Sequence, residues 1–243
     1  MNVFGLSDIG FVRANNEDTC LYELRSEDGQ AIFVVCDGMG GARAGNVASD
    51  IAANVFVEQL EQQIRPKMSE RYMESIVRSA VDFANYDTYQ TAHSSEEYAG
   101  MGTTLVGGLV HENHVMLANV GDSRAYLDTG DALQRITHDH SLVEELVQRG
   151  EITEEEAREH PRRNLITRAL GTSRKVLADC YPLTLEPGQK LLLCSDGLSS
   201  MVRDEEIHEI LQEEDIKLCC ERLIDAANSH GGHDNITVLI ATV

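Results

Sequence analysis

Hydrophobic positions along this chain follow two spacings, and the change from one to the other predicts its elements. Short apolar runs are typical of β-strands, whereas apolar residues recurring every three or four positions indicate helices. Pro66 separates two long predicted helices. The predicted helices are Ala44–Gln63, Glu70–Ala92, Asp204–Leu211 and Asp215–Ser229; the predicted strands are Asn2–Ser7, Thr19–Leu24, Ala31–Cys36, Thr103–Val110, His114–Val120, Ser123–Leu127, Leu133–Ile136, Val176–Leu183, Lys190–Cys194 and Ile236–Val243.

The order of these elements predicts the fold class. Strands occur in antiparallel-looking groups with helices in pairs between them, which indicates an α+β fold with helix layers on a sheet sandwich. The stretch Ser141–Gly171 differs, because it has short charged helices and few large apolar residues. We interpret it as a mobile surface subdomain inserted between strands. No linker or repeat divides residues 1–243, so a single domain is expected.

Composition narrows the functional classes. Hydrophobic residues make up 42% of the 243 residues, enough for a sizeable core. The formal net charge of −21 argues against nucleic acid or an anionic membrane as the main partner. The longest uncharged apolar stretches are too short to span a bilayer, and the first ten residues lack the basic region of a signal peptide. None of the six cysteines forms a C-x-x-C pair, so reduced thiols and a cytoplasmic location are expected.

Acidic residues gather where predicted strands end. Apolar strands lead into Asp37-Gly38 and, after one serine, into Asp196-Gly197, although a lone Asp-Gly pair is an ordinary turn. Divalent ions such as Mg²⁺ and Mn²⁺ prefer oxygen ligands, and two ions about 4 Å apart can activate a water and clamp a phosphoryl group. The pattern therefore predicts a carboxylate-lined cation site. Its candidate acids are Glu17, Asp18, Asp37, Asp122, Asp196 and Asp234.

Seven short motifs give the chain a family resemblance. They are Arg13-x-x-Asn16-Glu17-Asp18, Asp37-Gly38-Met39-Gly40-Gly41, Gly100-Met101-Gly102-Thr103-Thr104, Gly121-Asp122-Ser123-Arg124, Asp139-His140-Ser141-Leu142, Ser195-Asp196-Gly197 and Gly232-His233-Asp234-Asn235. In their order and spacing the chain resembles the metal-dependent protein phosphatases of the PPM family, type 2C, in their compact bacterial form. The resemblance implies a four-layer αββα fold with a flap at about 141–171. It also implies hydrolysis of phosphoserine and phosphothreonine in proteins by a metal-activated water.

The resemblance assigns metal-binding roles to Asp37, Asp196, Asp234 and Gly38, and a role at metal-bound water to Glu17 or Asp18. Asp37 is expected to bridge two Mn²⁺ or Mg²⁺ ions, Asp196 and Asp234 to complete one ion, and the Gly38 carbonyl to serve the other. Glu17 or Asp18 holds water bound to metal, and which of the two ligates directly stays open.

Two further roles follow from the same likeness. Arg13 is expected to grip the substrate phosphate, because its planar fork matches phosphate oxygens in a bidentate way. Bacterial members often bind a third, weaker ion, and Asp122 with Asp196 are its expected ligands.

The proton donor to the leaving group is not assigned. Animal members carry histidine where this chain has Met39, and many bacterial members carry it where this chain has Ala42. Metal-bound water is one alternative. His138, His140 and His233 lie near motifs, but a structural hydrogen-bonding role is favoured for each.

Other functions are weighed against this one. A non-catalytic binding module of the same fold usually lacks a metal carboxylate, whereas here Asp37, Asp196 and Asp234 are present together with Arg13. A regulatory phosphatase aimed at one signalling partner is a second alternative, usually fused to sensor or membrane domains. A serine hydrolase is disfavoured because no G-x-S-x-G surrounds Ser195. By resemblance, the expected partners are a Ser/Thr kinase and its targets, and the expected state is a monomer.

Overall fold

The computed structural model of the protein describes residues 1–25, 29–40 and 44–243. The strands are β1 Asn2–Asp8, β2 Asp18–Arg25, β3 Gln30–Met39, β4 Gly102–Thr103, β5 Leu105–His111, β6 His114–Val120, β7 Arg124–Asp128, β8 Leu133–Arg135, β9 Asp179–Thr184, β10 Lys190–Cys194 and β11 Ile236–Thr242. The helices are α1 Gly45–Gln63, α2 Glu70–Ala92, α3 Leu142–Gln148, α4 Glu154–Glu159, α5 Asp196–Ser199, α6 Asp204–Leu211 and α7 Ile216–Ser229.

The strands form two antiparallel sheets that stack face to face. One sheet has the order β1-β11-β10-β7-β8, and the other has the order β2-β3-β5-β6-β9, with β4 added beside β3. Helices α1 and α2 cover the outer face of the second sheet, while α6 and α7 cover that of the first. These four layers confirm the predicted α+β sandwich. Among the described residues, no helix has the length and apolar character needed to cross a bilayer.

Strand β3 shows how the apolar pattern builds the layers. Phe33 and Val35 pack between the two sheets, whereas Ile32, Val34 and Cys36 pack against α1 and α2. Both faces of the strand are therefore buried, which is why its sequence is a continuous apolar run rather than an alternating one.

Three predicted strands differ from the observed ones. The predicted strand Thr103–Val110 is divided at Thr104 into β4 and β5. Strand β3 continues past Cys36 to Met39, because the short strand β4 pairs with Gly38 and Met39. Strand β9 begins at Asp179 rather than Val176, because its pairing with β6 starts there. Helix α5 was not predicted at all: Asp196 begins a helical turn immediately after the Ser195 that follows β10.

The segment 141–171, which is expected to be a flap and is called the flap below, is built differently from the sandwich. Its helices α3 and α4 contain no buried residue and begin at serine and threonine N-caps. The segment is attached at both ends through the main chain. The Thr167 amide donates to the His140 carbonyl at 2.7 Å, and Leu170 exchanges two backbone hydrogen bonds with Thr103 of β4. The prediction of short charged helices in this segment is confirmed.

Candidate metal centre

The first pair of acids is brought together by strand register. Asp18 begins β2 and lies directly opposite Asp37 near the end of β3. The Asp37 backbone is fixed by Thr104, whose Oγ1 accepts the Asp37 amide at 2.9 Å and whose amide donates to the Asp37 carbonyl at 2.9 Å. An aspartate held on a strand in this way is a rigid attachment point for a ligand.

The other acids come from the same end of the opposite sheet. Asp196 follows β10 and Asp234 precedes β11, and these two strands are antiparallel neighbours. Gly197 lets their loops touch, because a Cβ at this position would collide with the Asn235 carbonyl oxygen. Asp122 lies in the tight connection between β6 and β7.

One cavity of about 210 Å³ joins these residues. Seven of the eight residues predicted for the site line it, and Asp18 is the one that does not. Two residues of the flap, Asn164 and Ile166, also contribute to its wall. The complete lining consists of Arg13, Glu17, Asp37, Gly38, Met39, Gly40, Thr104, Asp122, Asn164, Ile166, Asp196, Asp234 and Asn235.

The crowded carboxyl groups hold their protons unusually tightly. Burial, followed by the charges of Asp18 and Asp196, raises the pKa of Asp37 well above its ordinary value. Burial and then the charge of Asp234 raise the pKa of Asp196 to about 6. Burial and the charge of Asp196 likewise raise the pKa of Asp122 well above its ordinary value. When these carboxyl groups are ionised they repel one another, and a bound cation would relieve this repulsion.

Asp18 lies behind the cavity as a supporting acid. Its Oδ2 accepts a hydrogen bond from Ser195 Oγ at 2.8 Å, and Ser195 Oγ in turn accepts the Thr237 amide at 3.0 Å. Burial raises the pKa of Asp18 to about 7. Its Oδ1 is buried and has no hydrogen-bond partner among the described residues. A buried carboxylate oxygen left without a donor fits a water or a cation beside it.

Gly38 lies so close to the start of α1 that only glycine fits at this position. A Cβ at this position would collide with the Gly45 carbonyl oxygen at the start of α1. The Gly38 amide donates to the Glu17 carbonyl at 3.0 Å, which ties the β3 end to the loop before β2. Burial raises the pKa of the Glu17 carboxyl group, while the charge of Arg13 lowers it.

Arg13 stands at the cavity entrance on a loop that is firmly held. Its Nη2 donates to Asp234 Oδ2 at 2.7 Å, and 52% of the Arg13 side chain remains exposed. Asn235 holds the loop by donating to the Ile9 and Asn15 carbonyls at 2.9 and 3.0 Å and by accepting the Glu17 amide at 2.8 Å. The exposed part of the guanidinium retains N–H donors for an anion.

The structure places the three candidate histidines outside the cavity. The ring of His140 accepts the Gly121 amide at its Nδ1 and lies 3.1 Å from Asp179 Oδ2 through Nε2. Burial lowers the pKa of His140. His138 is mostly exposed and lies 3.8 Å from Glu144, and His233 is exposed. Met39 does line the cavity, whereas Ala42 lies outside the described residues.

Sequence reasoning gave no role to three residues that shape the site. Asn235 holds the Arg13 loop, Thr104 fixes Asp37, and Ser195 supports Asp18. All three belong to the motifs quoted above, and their presence in those motifs is the one feature of the sequence that indicates a role at the site. Their roles depend on contacts between residues up to 226 positions apart, which a linear pattern does not contain.

The donor set fits hard divalent cations that retain water. In the described part of the chain, no three His, Cys, Asp or Glu side chains form a group that could hold a metal ion by themselves. Mg²⁺ and similar ions do not need such a cage, because they keep several of their waters and also accept carbonyl oxygens as ligands. The raised pKa values, the unpartnered Asp18 oxygen and the carboxyl oxygens that line the cavity agree with ions of this kind.

Comparison with known proteins identifies the class to which this fold and site belong. A sequence model described as Protein phosphatase 2C matches residues 12–227, so the chain belongs to the protein phosphatase 2C family. The "Serine/threonine phosphatase stp" of Listeria monocytogenes is 41% identical to it over 236 residues, which cover 96% of this chain and 92% of that protein.

Solved structures agree with this assignment. The serine/threonine phosphatase Stp1 from Staphylococcus aureus has a TM-score of 0.92 at 37% identity, with 99% of this chain and 94% of that chain covered. The catalytic domain of the phosphatase PstP, solved in complex with two manganese ions, has a TM-score of 0.85 at 36% identity over 98% and 96% of the two chains. The fold and the family inferred from the motifs are confirmed.

Proposed function

We propose that this protein removes phosphate from phosphoserine and phosphothreonine in proteins, with two Mn²⁺ or Mg²⁺ ions as cofactors. The observation that carries the proposal is the cavity in which Asp37, Asp196 and Asp234 meet, with Arg13 at its entrance. Family membership and the serine/threonine phosphatases among its relatives support the same activity.

The metal assignment is part of the proposal. Asp37 would hold both ions, Asp196 and Asp234 would hold one of them, and the Gly38 carbonyl with Glu17 would hold the other. Asp18, behind the cavity, is assigned to water on the second ion rather than to direct ligation. Its absence from the cavity lining supports this choice.

One further ion belongs to the proposal. Asp122 with Asp196 forms the site of a third, weaker ion. Both residues line the same cavity, which supports this pairing.

The residues around the ions bind and orient the substrate. When bound, the two ions supply an activated water and neutralise charge on the phosphoryl group. Arg13 binds the phosphate oxygens through its exposed N–H groups and contributes most when the transition state develops charge. Asn235 keeps Arg13 at the entrance by holding its loop. No histidine is among the described lining residues, so the proton for the leaving alkoxide is assigned to water in the cavity.

The biological setting is proposed from composition and likeness. All six cysteines are unpaired, which supports a cytoplasmic location. A Ser/Thr kinase and its phosphorylated targets are the proposed partners, and the chain is proposed to act as a monomeric single catalytic domain with residues 141–171 as its flap. The alternative of a phosphatase specific for one signalling partner differs only in substrate range.

The test is hydrolysis of p-nitrophenyl phosphate and of a phosphothreonine peptide with Mn²⁺, with Mg²⁺ and with EDTA. We expect activity with either metal and none with EDTA. Asp37→Asn should reduce activity by at least about a thousandfold, because it removes charge from the bridging position. Asp225→Asn, an exposed change on α7, is the matched control and should remain active.

Each outcome separates the alternatives. Activity that survives in Asp37→Asn would contradict the two-ion assignment. Absence of activity with every metal, in a wild-type protein shown by circular dichroism to be folded, would favour the non-catalytic binding module instead.

A further inference from the structure

Apolar side chains stand in solvent beside the catalytic cavity. Phe11 is 73% exposed, the highest value among the large hydrophobic residues described, and Val12 is 63% exposed. Both directly precede Arg13, which lines the cavity. Exposed apolar residues that are clustered rather than scattered mark interaction sites.

This loop is fixed in place although its side chains are not buried. The Phe11 amide donates to the Gly232 carbonyl at 2.8 Å, and the Gly10 amide donates to Asp8 Oδ1 at 2.8 Å. Gly10 has a φ of +74° and packs against the Asp234 carbonyl so closely that a Cβ would collide with it. The backbone that carries Phe11 and Val12 is therefore already ordered, so a ligand that binds there does not incur the entropic cost of ordering this loop.

The flap carries another exposed apolar side chain, between two residues that line the same cavity. Leu165 is 51% exposed and lies between Asn164 and Ile166, both of which line the cavity. Its backbone is fixed, because the Leu165 carbonyl accepts the Leu142 amide at 2.9 Å. We refer to Phe11, Val12 and Leu165 as the apolar rim.

We propose that the apolar rim binds the substrate polypeptide on either side of the phosphorylated residue, so that the enzyme favours phosphothreonine flanked by apolar side chains. This inference rests on the proposed function, because it describes how the same site selects its substrates. Phe11 and Leu165 are specificity residues in it, and they take no part in the chemistry.

The position of the apolar rim next to the cavity indicates that its ligand is the polypeptide on either side of the phosphorylated residue. An extended peptide advances about 3.3 Å per residue, so residues one or two positions from the phosphorylated residue stay within about 7 Å of it. Those flanking residues must cross the surface immediately around the cavity. The net charge of −21 disfavours acidic flanks, whereas the apolar rim attracts apolar ones.

The experiment compares three phosphothreonine peptides that differ only at the two positions on each side of the phosphothreonine, carrying leucine, serine or glutamate there. Phosphate release with Mn²⁺ gives kcat/KM for wild type, Phe11→Ser, Leu165→Ser and the double variant. Phe83→Ser is the matched control, because Phe83 is exposed on α2 and does not line the cavity. p-Nitrophenyl phosphate, which has no flanking residues, reports on the chemistry alone.

We expect wild type and Phe83→Ser to favour the leucine peptide over the serine peptide by roughly tenfold, mainly through KM. The double variant should lose this preference while its kcat/KM for p-nitrophenyl phosphate stays within about twofold of wild type. Equal use of the leucine and serine peptides by wild type, or an unchanged preference in the double variant, would overturn the inference alone. Failure of wild type to hydrolyse any of these compounds would overturn the proposed function as well.

Discussion

The sandwich and the flap meet at the same cavity but are held together by different forces. The sandwich buries Phe33, Leu191 and Leu239 between its sheets, whereas α3 and α4 of the flap bury no residue. Ion pairs connect the flap to the rest, including Arg135 with Glu144 at 3.2 Å and Arg158 with Asp204 at 3.9 Å.

This contrast separates metal binding, which depends on the sandwich, from substrate contact, to which the flap contributes. The carboxylates lie at strand ends or beside them, where packing fixes their positions to the accuracy that metal binding demands. The flap supplies Asn164 and Ile166 to the cavity wall from a segment that costs little to rearrange, since regions with few buried apolar contacts open most easily. Metal geometry is thus expected to be constant, while substrate contacts can vary through the flap.

The largest predicted effect lies in the sandwich. Phe33→Ala should lower the free energy of unfolding by about 3–5 kcal/mol, because it leaves a cavity between the sheets. Urea denaturation followed by circular dichroism measures this change. Phe83→Ala on the exposed face of α2 is the control, with an expected change below about 1 kcal/mol. Equal losses in the two variants would contradict the described core.

The next effect concerns phosphate binding at the cavity entrance. Arg13→Ala should raise KM for a phosphothreonine peptide by roughly ten- to a hundredfold, because it removes charge-assisted hydrogen bonds. Arg13→Lys should recover part of the loss, since it keeps the charge but not the planar fork. Steady-state kinetics gives both values, and an unchanged KM in Arg13→Ala would count against the phosphate role.

Stability should depend on pH and metal through the acid cluster. The pKa values of Asp18 (about 7) and Asp196 (about 6) lie above the unfolded value of about 3.9. These groups therefore stabilise the metal-free protein below about pH 4, and that contribution is lost as pH rises to about 7. In EDTA the Tm should fall by roughly 4 °C or more between pH 5 and pH 8.

Mn²⁺ should reverse this trend, because carboxylates must be ionised to bind it. Differential scanning fluorimetry with EDTA and with Mn²⁺ compares the two conditions. Asp196→Asn should show a flatter Tm profile in EDTA than wild type, since one repelling charge is gone. A Tm that rises with pH in EDTA would contradict the assignment of these pKa directions.

The smallest effect is expected in the flap. Glu144→Ala breaks the ion pair with Arg135 and should cost less than about 1 kcal/mol in unfolding free energy. The same urea titration measures it. A loss above about 2 kcal/mol would show that the flap is an integral part of the folded core.

Much of this architecture could be predicted from local sequence. The apolar run before Asp37 and the helical spacing in α1 and α2 indicate their elements directly, and the strand-end acids indicate a cation site. The pairing of β1 with β11 joins the two termini, and that contact has no local signature. The same holds for β4, which extends β3 beyond Asp37 by pairing across more than sixty residues.

The unassigned supporting residues show a second limit of linear patterns. Ser195 has the residue type of a helix N-cap, but its hydroxyl makes no capping bond and donates instead to Asp18. Asn235 follows a predicted metal ligand, yet its contacts reach back to the loop that carries Arg13. Residue type therefore predicted the chemistry of this site, whereas the support of that chemistry required the folded chain.

The most direct test of the central claim is the number of Mn²⁺ ions that bind tightly, measured by isothermal titration calorimetry of the metal-free protein. We expect two tight ions in wild type, and loss of at least one of them in Asp37→Asn without a loss of fold. Asp225→Asn should bind as wild type does. Two tight ions in Asp37→Asn, or no tight ion in wild type, would contradict a two-ion site built on the strand-end carboxylates.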